Sequence, residues 1–527
     1  MDDRHINFKL MSQYILDHQD DAADAHAEKP AVAAKKYWRS LEELADAPEF
    51  REFVSREYPQ HAERWDDPVE RRSFLKLMGA SLALAGLSGC VFQPPEKIVP
   101  SVTQPEYGNP GQALFFATAL SLGGVATPLL ARSNEGRPTK LEGNPDHPQN
   151  HSTNPDEVGS SATDIFSQAS ILSLYDPDRA QTSLFRDETR PWTTFVGELR
   201  TALDGLRPGQ GAGLHFLTET ITSPSLGEQL RGILTEFPQA KWHQYEPVNN
   251  DQAHAGARMA FGQPVNTIYD FSKADRILSL DADFLAAMPG TLRYARDFAA
   301  RRRVSEDKNT MNRLYVIETT PTTTGASSDH QWSIRPSELL KVAITIASQV
   351  GVSGLSAQTS ASGFEAIGHD LQQHRGRSIV IAGREATPAV HALAHAMNGA
   401  LGNVGQTVFY TDPLEVNPMD QRQSLQELVN ELDAGRVKML VILGGNPVYN
   451  TPADLKLNQE RLFKAQLRIH LSQYRDETSE LCHWHIPATH YLEEWSDTRA
   501  YDGTVSIVPG PGSPSASQFR RSAICRR

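Results

Sequence analysis

Short apolar runs alternate with longer amphipathic segments through the middle of the chain. The runs are mostly aliphatic, and each ends close to Asp, Glu or Gly. Strands that are buried on both faces of a parallel sheet have this pattern. The alternation therefore predicts an α/β fold of doubly wound parallel sheets. The predicted strands are residues 276–280, 314–317, 379–382 and 439–443, and the predicted helices between them are residues 285–303, 338–350 and 388–401.

The segment before this region has a different pattern. Residues 112–120 predict a strand, Gly123 and Gly124 a tight turn, residues 129–132 a second strand and residues 136–148 a further turn. Ligands of doubly wound sheets bind at the carboxyl ends of the strands. The chain has neither a Gly-x-Gly-x-x-Gly sequence nor a Walker A loop, which disfavours an NAD enzyme and a P-loop ATPase.

Charge and cysteine content exclude several classes of protein. The chain has 527 residues, a net charge of −13 and three cysteines. Because binding of phosphates needs an excess of Lys and Arg, the acidity argues against a nucleic-acid partner. Cys90, Cys482 and Cys525 form no Cys-x-x-Cys pair and are too few for an ordinary iron–sulfur cluster or a four-cysteine zinc site. Any iron–sulfur cluster of this system is therefore expected outside these residues.

A candidate export signal follows the first 70 residues. Two adjacent arginines precede a weakly apolar stretch, residues 77–89, which is too short to cross a bilayer that needs about 20 residues. This arrangement is typical of a twin-arginine (Tat) signal and predicts the Tat translocase as a partner. The alternative is a chance arginine pair ahead of an ordinary core helix. The residues assigned to the signal are Arg71, Arg72, Phe74, Leu75 and Lys76.

The apolar stretch ends in Leu-Ser-Gly-Cys, which resembles a bacterial lipobox with Cys90 as the lipidated residue. A single acyl chain binds membranes only marginally, so a stable anchor needs a second chain or another contact. The sequence predicts a protein held on the periplasmic side of the bacterial cytoplasmic membrane. Residues 1–89 would be a mainly helical or disordered leader with the signal at its end, and residues 90–111 a tether.

Seven segments of the chain resemble, in order, the molybdopterin oxidoreductase family. Each match is weak by itself, and their common order makes the resemblance informative. It covers roughly residues 112–508 and implies nested doubly wound parallel sheets, with molybdopterin guanine dinucleotide as a possible cofactor. The segments are residues 136–148, 174–179, 278–284, 316–322 together with 332–336, 401–405, 443–447 and 484–493.

The candidate cofactor-binding residues form a Gly-Gly-Asn-Pro loop: Gly444, Gly445, Asn446 and Pro447. Glycine lets backbone amides approach a pyrophosphate closely, and the Asn side chain offers both a donor and an acceptor. The alternative is that the loop only turns the chain between a strand and a helix.

Three places depart from the family's pattern. Asp281 and Asp283 stand where the family's loop usually has Gly, and a Glu-Thr-Thr sequence beginning at Glu318 replaces Asp-Pro-Arg. Residues 246–251, which correspond to the metal-ligand zone, contain neither Cys nor Ser. These departures argue against a molybdenum site, so we assign no catalytic residue and no metal ligand.

Three histidines near the end of the chain, His483, His485 and His490, provide a possible metal site. His483 and His485 would point to one face of a strand. The family match instead explains the segment as a strand followed by a turn.

The leader, through residues 37–44, resembles most closely that of the molybdopterin-like and iron–sulfur subunit of alternative complex III. This implies a membrane-bound quinol-oxidising complex, in which a multihaem cytochrome c and an integral membrane quinol-binding subunit are partners. It also implies a molybdopterin-like part without metal cofactor, followed by a part with 4Fe-4S clusters.

Residues 509–527 lack periodicity. We interpret them as the result of a frameshift or truncation near codon 508 that removed the iron–sulfur half, the alternative being a natural flexible tail.

Three functions are compatible with these patterns. In the first, residues 112–508 are the scaffold portion of a respiratory quinol:acceptor oxidoreductase, inactive alone. In the second, the chain is a molybdopterin-dependent periplasmic oxidoreductase of a small substrate. In the third, it is a non-catalytic periplasmic lipoprotein.

Overall fold

Parallel β-sheet organises the structure, a computed structural model that describes residues 111–134, 136–150, 162–304, 309–359 and 363–509. The strands are β1 (Leu114–Leu122), β2 (Val125–Asn134), β3 (Arg137–Gly143), β4 (Leu184–Phe185), β5 (Glu188–Thr189), β6 (Leu214–Thr218), β7 (Lys241–Gln244), β8 (Asn266–Tyr269), β9 (Arg276–Leu280), β10 (Arg313–Glu318), β11 (His330–Ser333), β12 (Ser378–Ala382), β13 (Val408–Thr411), β14 (Met439–Leu443), β15 (Leu467–Ser472), β16 (Trp484–Pro487), β17 (Ser496–Arg499) and β18 (Val505–Val508).

Helices connect most of the parallel strands. The α-helices are α1 (Ile165–Ala169), α2 (Trp192–Leu206), α3 (Pro224–Glu236), α4 (Asp251–Phe261), α5 (Thr291–Arg302), α6 (Thr323–Ala326), α7 (Pro336–Gln349), α8 (Phe364–Gln373), α9 (Pro388–Ala400), α10 (Gln421–Asp433), α11 (Pro447–Asn450), α12 (Gln459–Leu462) and α13 (Glu477–Glu480). Short 3-10 helices occupy Pro148–Asn150, Leu172–Leu174, Arg207–Gly209 and Tyr491–Glu493.

The central sheet, within the described residues, has seven strands in the order β5-β4-β16-β15-β14-β6-β7. The five strands from β16 to β7 run parallel, and β4 joins β16 in the antiparallel sense. Strands β6 and β7 come early in the chain, whereas β14, β15 and β16 come late. Helices α2 and α3 contribute to the hydrophobic core on one face, and α10 and α12 to the core on the other.

A second parallel sheet, of order β11-β10-β9-β12, lies between the two halves of the central sheet in sequence. Alternate residues of β9 enter two different cores: Leu278 and Leu280 pack with helices α7, α8 and α9, whereas Ile277 packs with α5. Because both faces are covered, the strands read as continuous apolar runs. The predicted nested α/β fold with doubly wound parallel sheets is thus confirmed.

The predicted elements agree with the structure to different degrees. All four apolar runs are strands, and the predicted helices at 338–350 and 388–401 correspond to α7 and α9. The helix predicted over 285–303 is shorter, because α5 begins only after Gly290, whose φ is 83°. Pro289 also disfavours helical geometry in the residue before it.

The prediction for residues 112–148, which form the antiparallel sheet β1-β2-β3, needs correction at one boundary. The tight turn at Gly123 and Gly124 is present, and both residues have positive φ. The segment 136–148, predicted as a turn, contains the strand β3, which pairs with β2. At the other end of the described residues, a turn over residues 501–503 precedes β18, which pairs with β17.

Some predictions fall on residues outside the described ranges. They are the leader, the Tat signal, the lipidation site Cys90 and most of the segment 509–527. Among the described residues, none of the helices is both long enough and apolar enough to span a bilayer.

Candidate ligand cavity at the carboxyl ends of the central sheet

Strands β6 and β14 are neighbours, and their carboxyl ends lie side by side because Thr218 pairs with Leu443. Leu443 also pairs with Leu471 of β15, so three strands end at the same edge of the sheet. Directly after Leu443 come Gly444 and Gly445, with φ values of 79° and 68°. Residues with a Cβ rarely adopt this left-handed conformation, so the turn needs glycine.

The rest of the candidate loop bonds to the protein itself. The side-chain amide of Asn446 donates to Oε2 of Glu477 (2.6 Å), and its Oδ1 accepts from the hydroxyl of Thr478 (2.7 Å). Nε2 of His470 lies 3.0 Å from the carbonyl oxygen of Gly445. Pro447 begins the short helix α11. Both functional groups of the Asn446 amide are therefore engaged in tying the loop to α13.

A carboxylate covers the glycine turn. A Cβ placed on Gly444 would lie 2.6 Å from Oε2 of Glu219, and one placed on Gly445 would lie 3.3 Å from Cγ of Glu219. Glu219 is the residue that follows β6. The surface that a pair of glycines would offer to a phosphate is thus occupied by a negatively charged side chain.

A cavity of about 340 Å³ lies beside this carboxylate. Its walls come from the ends of β6, β14 and β15, from the β1–β2 turn and from β17. Apolar side chains, including Ile221, Leu443 and Leu471, line part of it. Among the described residues that line it there is no Lys, Arg or His. The acidic lining residues are Glu219, Glu246, Glu494 and Asp497.

Two of these carboxyl groups are held by serine and threonine hydroxyls. The Thr489 hydroxyl donates to Oε2 of Glu494 (2.6 Å), and Glu494 is only 6% exposed. Asp497 accepts hydrogen bonds from the hydroxyls of Ser223 and Ser225 at the start of α3. Hydroxyl groups of serine and threonine therefore hold both carboxyl groups in position.

Glu246 differs from the other three acidic residues. It follows β7, is 9% exposed, and its Oε2 has no hydrogen-bond partner within the described structure. Burial is the main cause that raises the pKa of its carboxyl from 4.5 to about 7, and the charge of Glu219 acts in the same direction. Hydrogen bonds from Thr220 and the positive charge of Arg384 oppose the shift. The cavity therefore contains a buried carboxyl group with an unpaired oxygen.

These residues do not fit a molybdopterin guanine dinucleotide. Its pyrophosphate is anionic and needs backbone amides or cationic side chains. Here the glycine turn lies under Glu219, and the Asn446 amide is bonded within the protein. The cavity walls carry carboxylates and no cationic side chain among the described residues. We derive no reaction step through this cofactor.

The second sheet ends in carboxylates that bind threonines. Oδ1 of Asp281 accepts from the backbone N–H of Thr319 (2.8 Å), and Oδ1 of Asp283 accepts from that of Thr324 (3.0 Å). Glu318 is 1% exposed and accepts from the Thr322 hydroxyl. Asp281 and Asp283 thus connect the end of β9 to the segment that follows β10, whereas Glu318 bonds within that segment and to β11.

A smaller cavity of about 110 Å³ lies at the carboxyl end of β12. His391, His395 and Arg384 line it, together with several tyrosines. Burial lowers the pKa of both histidines to about 4, so they are neutral near pH 7. Nε2 of His391 has no hydrogen-bond partner within the described structure.

The three histidines near the end of the chain each form different hydrogen bonds within the protein. His483 precedes β16 and accepts at Nδ1 from the backbone N–H of Arg468, and His485 in β16 contacts the Ser472 hydroxyl. Nδ1 of His490 caps the following 3-10 helix. No group of three or more His, Cys, Asp or Glu residues in the described part of the chain is placed to hold a metal ion.

Sequence reasoning did not anticipate Glu219, Glu494 or Asp497 as lining residues, and it noted Glu246 only as part of an altered metal-ligand zone. Glu219 and Glu246 follow β6 and β7, whereas Glu494 and Asp497 come after β16, and the two pairs meet only because the two halves of the central sheet join. A carboxylate immediately after the apolar run of β6 is the one local signal that could have indicated Glu219.

The nested sheets and the glycine turn at their carboxyl edge define a molybdopterin oxidoreductase-like fold. The chain is 22% identical, over 495 residues, to the "Menaquinone reductase, molybdopterin-binding-like subunit" of Nitratidesulfovibrio vulgaris (strain Hildenborough), with 85% of this chain and 69% of the relative covered. Acetylene hydratase from Pelobacter acetylenicus has a similar fold, with a TM-score of 0.56, 12% identity and coverage of 78% of this chain and 68% of that one. No protein-family model matches the chain.

Proposed function

We propose that this chain is a subunit of a membrane-bound respiratory complex of the alternative complex III type, which transfers electrons between quinol and an acceptor. The observation that carries the proposal is the similarity to the menaquinone reductase subunit, which extends over 85% of the chain. By its name, that relative belongs to an enzyme acting on menaquinone and is itself molybdopterin-binding-like.

Within such a complex, the chain acts as a scaffold and docking surface without a redox cofactor of its own. Two observations support this role. The loop that would hold an anionic pterin dinucleotide is covered by Glu219, and the adjoining cavity is acidic. The chain also lacks the Cys-x-x-Cys pairs from which iron–sulfur clusters are built, so electron carriers belong to other parts of the complex.

The same proposal includes a location and partners. The arginine pair at Arg71 and Arg72 directs export through the Tat translocase, and a lipid on Cys90 holds the protein at the periplasmic face of the cytoplasmic membrane. A multihaem cytochrome c and an integral membrane quinol-binding subunit are the partners. Clusters of the 4Fe-4S type belong to a part of the system outside these residues.

The test is purification of the tagged full-length chain from detergent-solubilised membranes of its own cells. We expect c-type haem and a membrane subunit to co-purify with the chain, and we expect the preparation to oxidise quinol. The molybdenum content should be far below one atom per chain. A second preparation with Cys90→Ser separates lipid anchoring from subunit contacts, and Cys525→Ser is its matched control. Isolation of the chain without partners, but with stoichiometric molybdenum and pterin, would instead establish the independent molybdopterin oxidoreductase.

A further inference from the structure

The acidic cavity combines two kinds of wall. One part carries the carboxyl groups of Glu246 and Glu494, and another part is formed by aliphatic side chains of Ile221, Leu443 and Leu471. A carboxylate that is buried without a partner is unstable unless a positive charge or a proton compensates it. A ligand that complements this cavity therefore needs a cationic end and an apolar body.

Glu246 is the residue that points to a ligand. It is more than nine-tenths buried, and Oε2 has no partner among the described residues. Buried polar groups are nearly always hydrogen-bonded in folded proteins, so an unpaired oxygen on a carboxyl group that lines a cavity needs an explanation. Glu219, which lies against the glycine turn, lines the same cavity, and its charge acts on the pKa of Glu246 in the same direction as burial.

Other classes of ligand fit less well. An anion would face the four acidic side chains, with no Lys, Arg or His in the described lining. Ca²⁺ and Mg²⁺ need about six oxygen ligands, and the described residues contain no group of three or more acidic, His or Cys side chains placed to bind a metal ion. A fully apolar ligand would leave the carboxylates desolvated.

We infer that the cavity binds a small organic cation, an alkylammonium or alkylguanidinium, with its charged group against Glu246 and its carbon chain on Ile221, Leu443 and Leu471. The cavity volume of about 340 Å³ suits a short-chain molecule. The assignment does not depend on the proposed respiratory function, since it follows from the cavity alone.

The experiment is a calorimetric titration of the purified full-length chain with putrescine at pH 8, where Glu246 is ionised. Its uncharged analogue, 1,4-butanediol, has the same carbon chain and is the ligand control. We expect saturable binding of putrescine, no detectable binding of the diol, and weaker binding at pH 6. In Glu246→Gln the affinity should fall by at least about tenfold, because the charge-assisted contact is lost.

Two further variants make the result specific. Glu228→Gln removes an exposed carboxylate of α3 that does not line the cavity, and its affinity should equal that of the unmodified protein. Glu494→Gln removes a second cavity carboxylate and should weaken binding in case Glu246→Gln fails to fold, which circular dichroism will show. The inference is overturned if putrescine does not bind, if both cavity variants bind it unchanged, if the diol binds equally well, or if Ca²⁺ displaces it stoichiometrically.

Discussion

The carboxylate of Glu219 lies against the backbone of Gly444, so close that a methyl group on Gly444 would come within 2.6 Å of Oε2. The two residues follow adjacent parallel strands, β6 and β14. Their contact closes the edge at which other doubly wound proteins bind phosphates. In this chain, the glycine turn is a place where one strand end packs on another.

The packing of α4 on α9, one of the helices that cover the second parallel sheet, can be tested by substitution of a glycine. A Cβ on Gly256 would overlap the Cβ of His391 and would lie 2.7 Å from the carbonyl oxygen of Pro388. We expect Gly256→Ala to lower the free energy of unfolding by about 1–3 kcal/mol, as overpacking usually does. Urea denaturation followed by circular dichroism measures this change.

Gly232→Ala is the matched control for that experiment. Gly232 lies in the interior of α3, and a Cβ there would meet nothing within 4 Å. Alanine in an open helical position should raise stability by about 0.5–1 kcal/mol. Equal effects of the two substitutions would contradict the close packing of α4 and α9.

The buried carboxyl of Glu246 should make stability depend on pH. Its pKa rises from 4.5 to about 7 in the folded state, so the folded protein binds a proton more tightly than the unfolded chain does. Stability contributed by this proton is present below pH 4.5 and is lost as the pH rises to about 7. In Glu246→Gln this loss disappears, and at pH 8 the variant should be more stable than the unmodified protein by about 1–3 kcal/mol.

Urea unfolding at pH 4.5 and at pH 8 tests this prediction. The stability difference between the two pH values should be smaller in Glu246→Gln than in the unmodified protein. Glu228→Gln, on the exposed side of α3, should retain the original difference. If Glu246→Gln is no more stable at pH 8 than the unmodified protein, the carboxyl of Glu246 is not held in an unfavourable environment.

Asn446 should not be replaceable by Asp, because its side chain must donate a hydrogen bond to the carboxylate of Glu477. Its N–H group donates to Glu477, and this hydrogen bond is the main cause that lowers the pKa of the Glu477 carboxyl. Asn446→Asp would place two carboxylates in contact, so we expect a lower thermal midpoint at pH 8 and partial recovery near pH 4. Differential scanning calorimetry measures both midpoints.

Asn458→Asp is a closely matched control, because Asn458 caps α12 by accepting a hydrogen bond from the backbone of Arg461. Asp caps helices as well as Asn does, so this substitution should leave the midpoint nearly unchanged. A midpoint of Asn446→Asp that does not respond to pH would show that Asn446 does not contact Glu477.

Export is testable without purification of a complex. The substitution of both Arg71 and Arg72 by Lys should retain the chain in the cytoplasm, because the Tat route requires the arginine pair. Substitution of Arg51 and Arg56 by Lys is equally conservative and should leave export unchanged. Cell fractionation with immunodetection distinguishes these outcomes, and an exported Lys-Lys variant would rule out the Tat signal.

Much of the fold could be predicted because its strands are buried on both faces. The apolar runs of β9, β10, β12 and β14 were sufficient to predict parallel sheets, since each run has few alternative placements. The strand β3 was mistaken for a turn because its exposed polar residues, with Gly136 before it and Gly143 at its end, resemble turn sequences.

The cavity could not be predicted in the same way. Glu219, Glu246 and Glu494 belong to segments that become neighbours only through the order of strands in the central sheet. Local patterns predict which residues form strands, but strand order depends on contacts between distant segments. The predicted loop at Gly444 was correctly placed at a strand end, whereas the side chain that covers it comes from the other half of the sheet.

The nested order of the sheets has a consequence for the synthesis of this protein. Strand β6 ends at Thr218, and its neighbour β14 begins only at Met439. While the ribosome makes the residues between them, β6 keeps an unpaired edge that other chains can pair with. The second parallel sheet, β9 to β12, can form before β14 has been synthesised. Chaperone binding should therefore be strongest for nascent chains that end before Met439 and should fall once β14 has emerged.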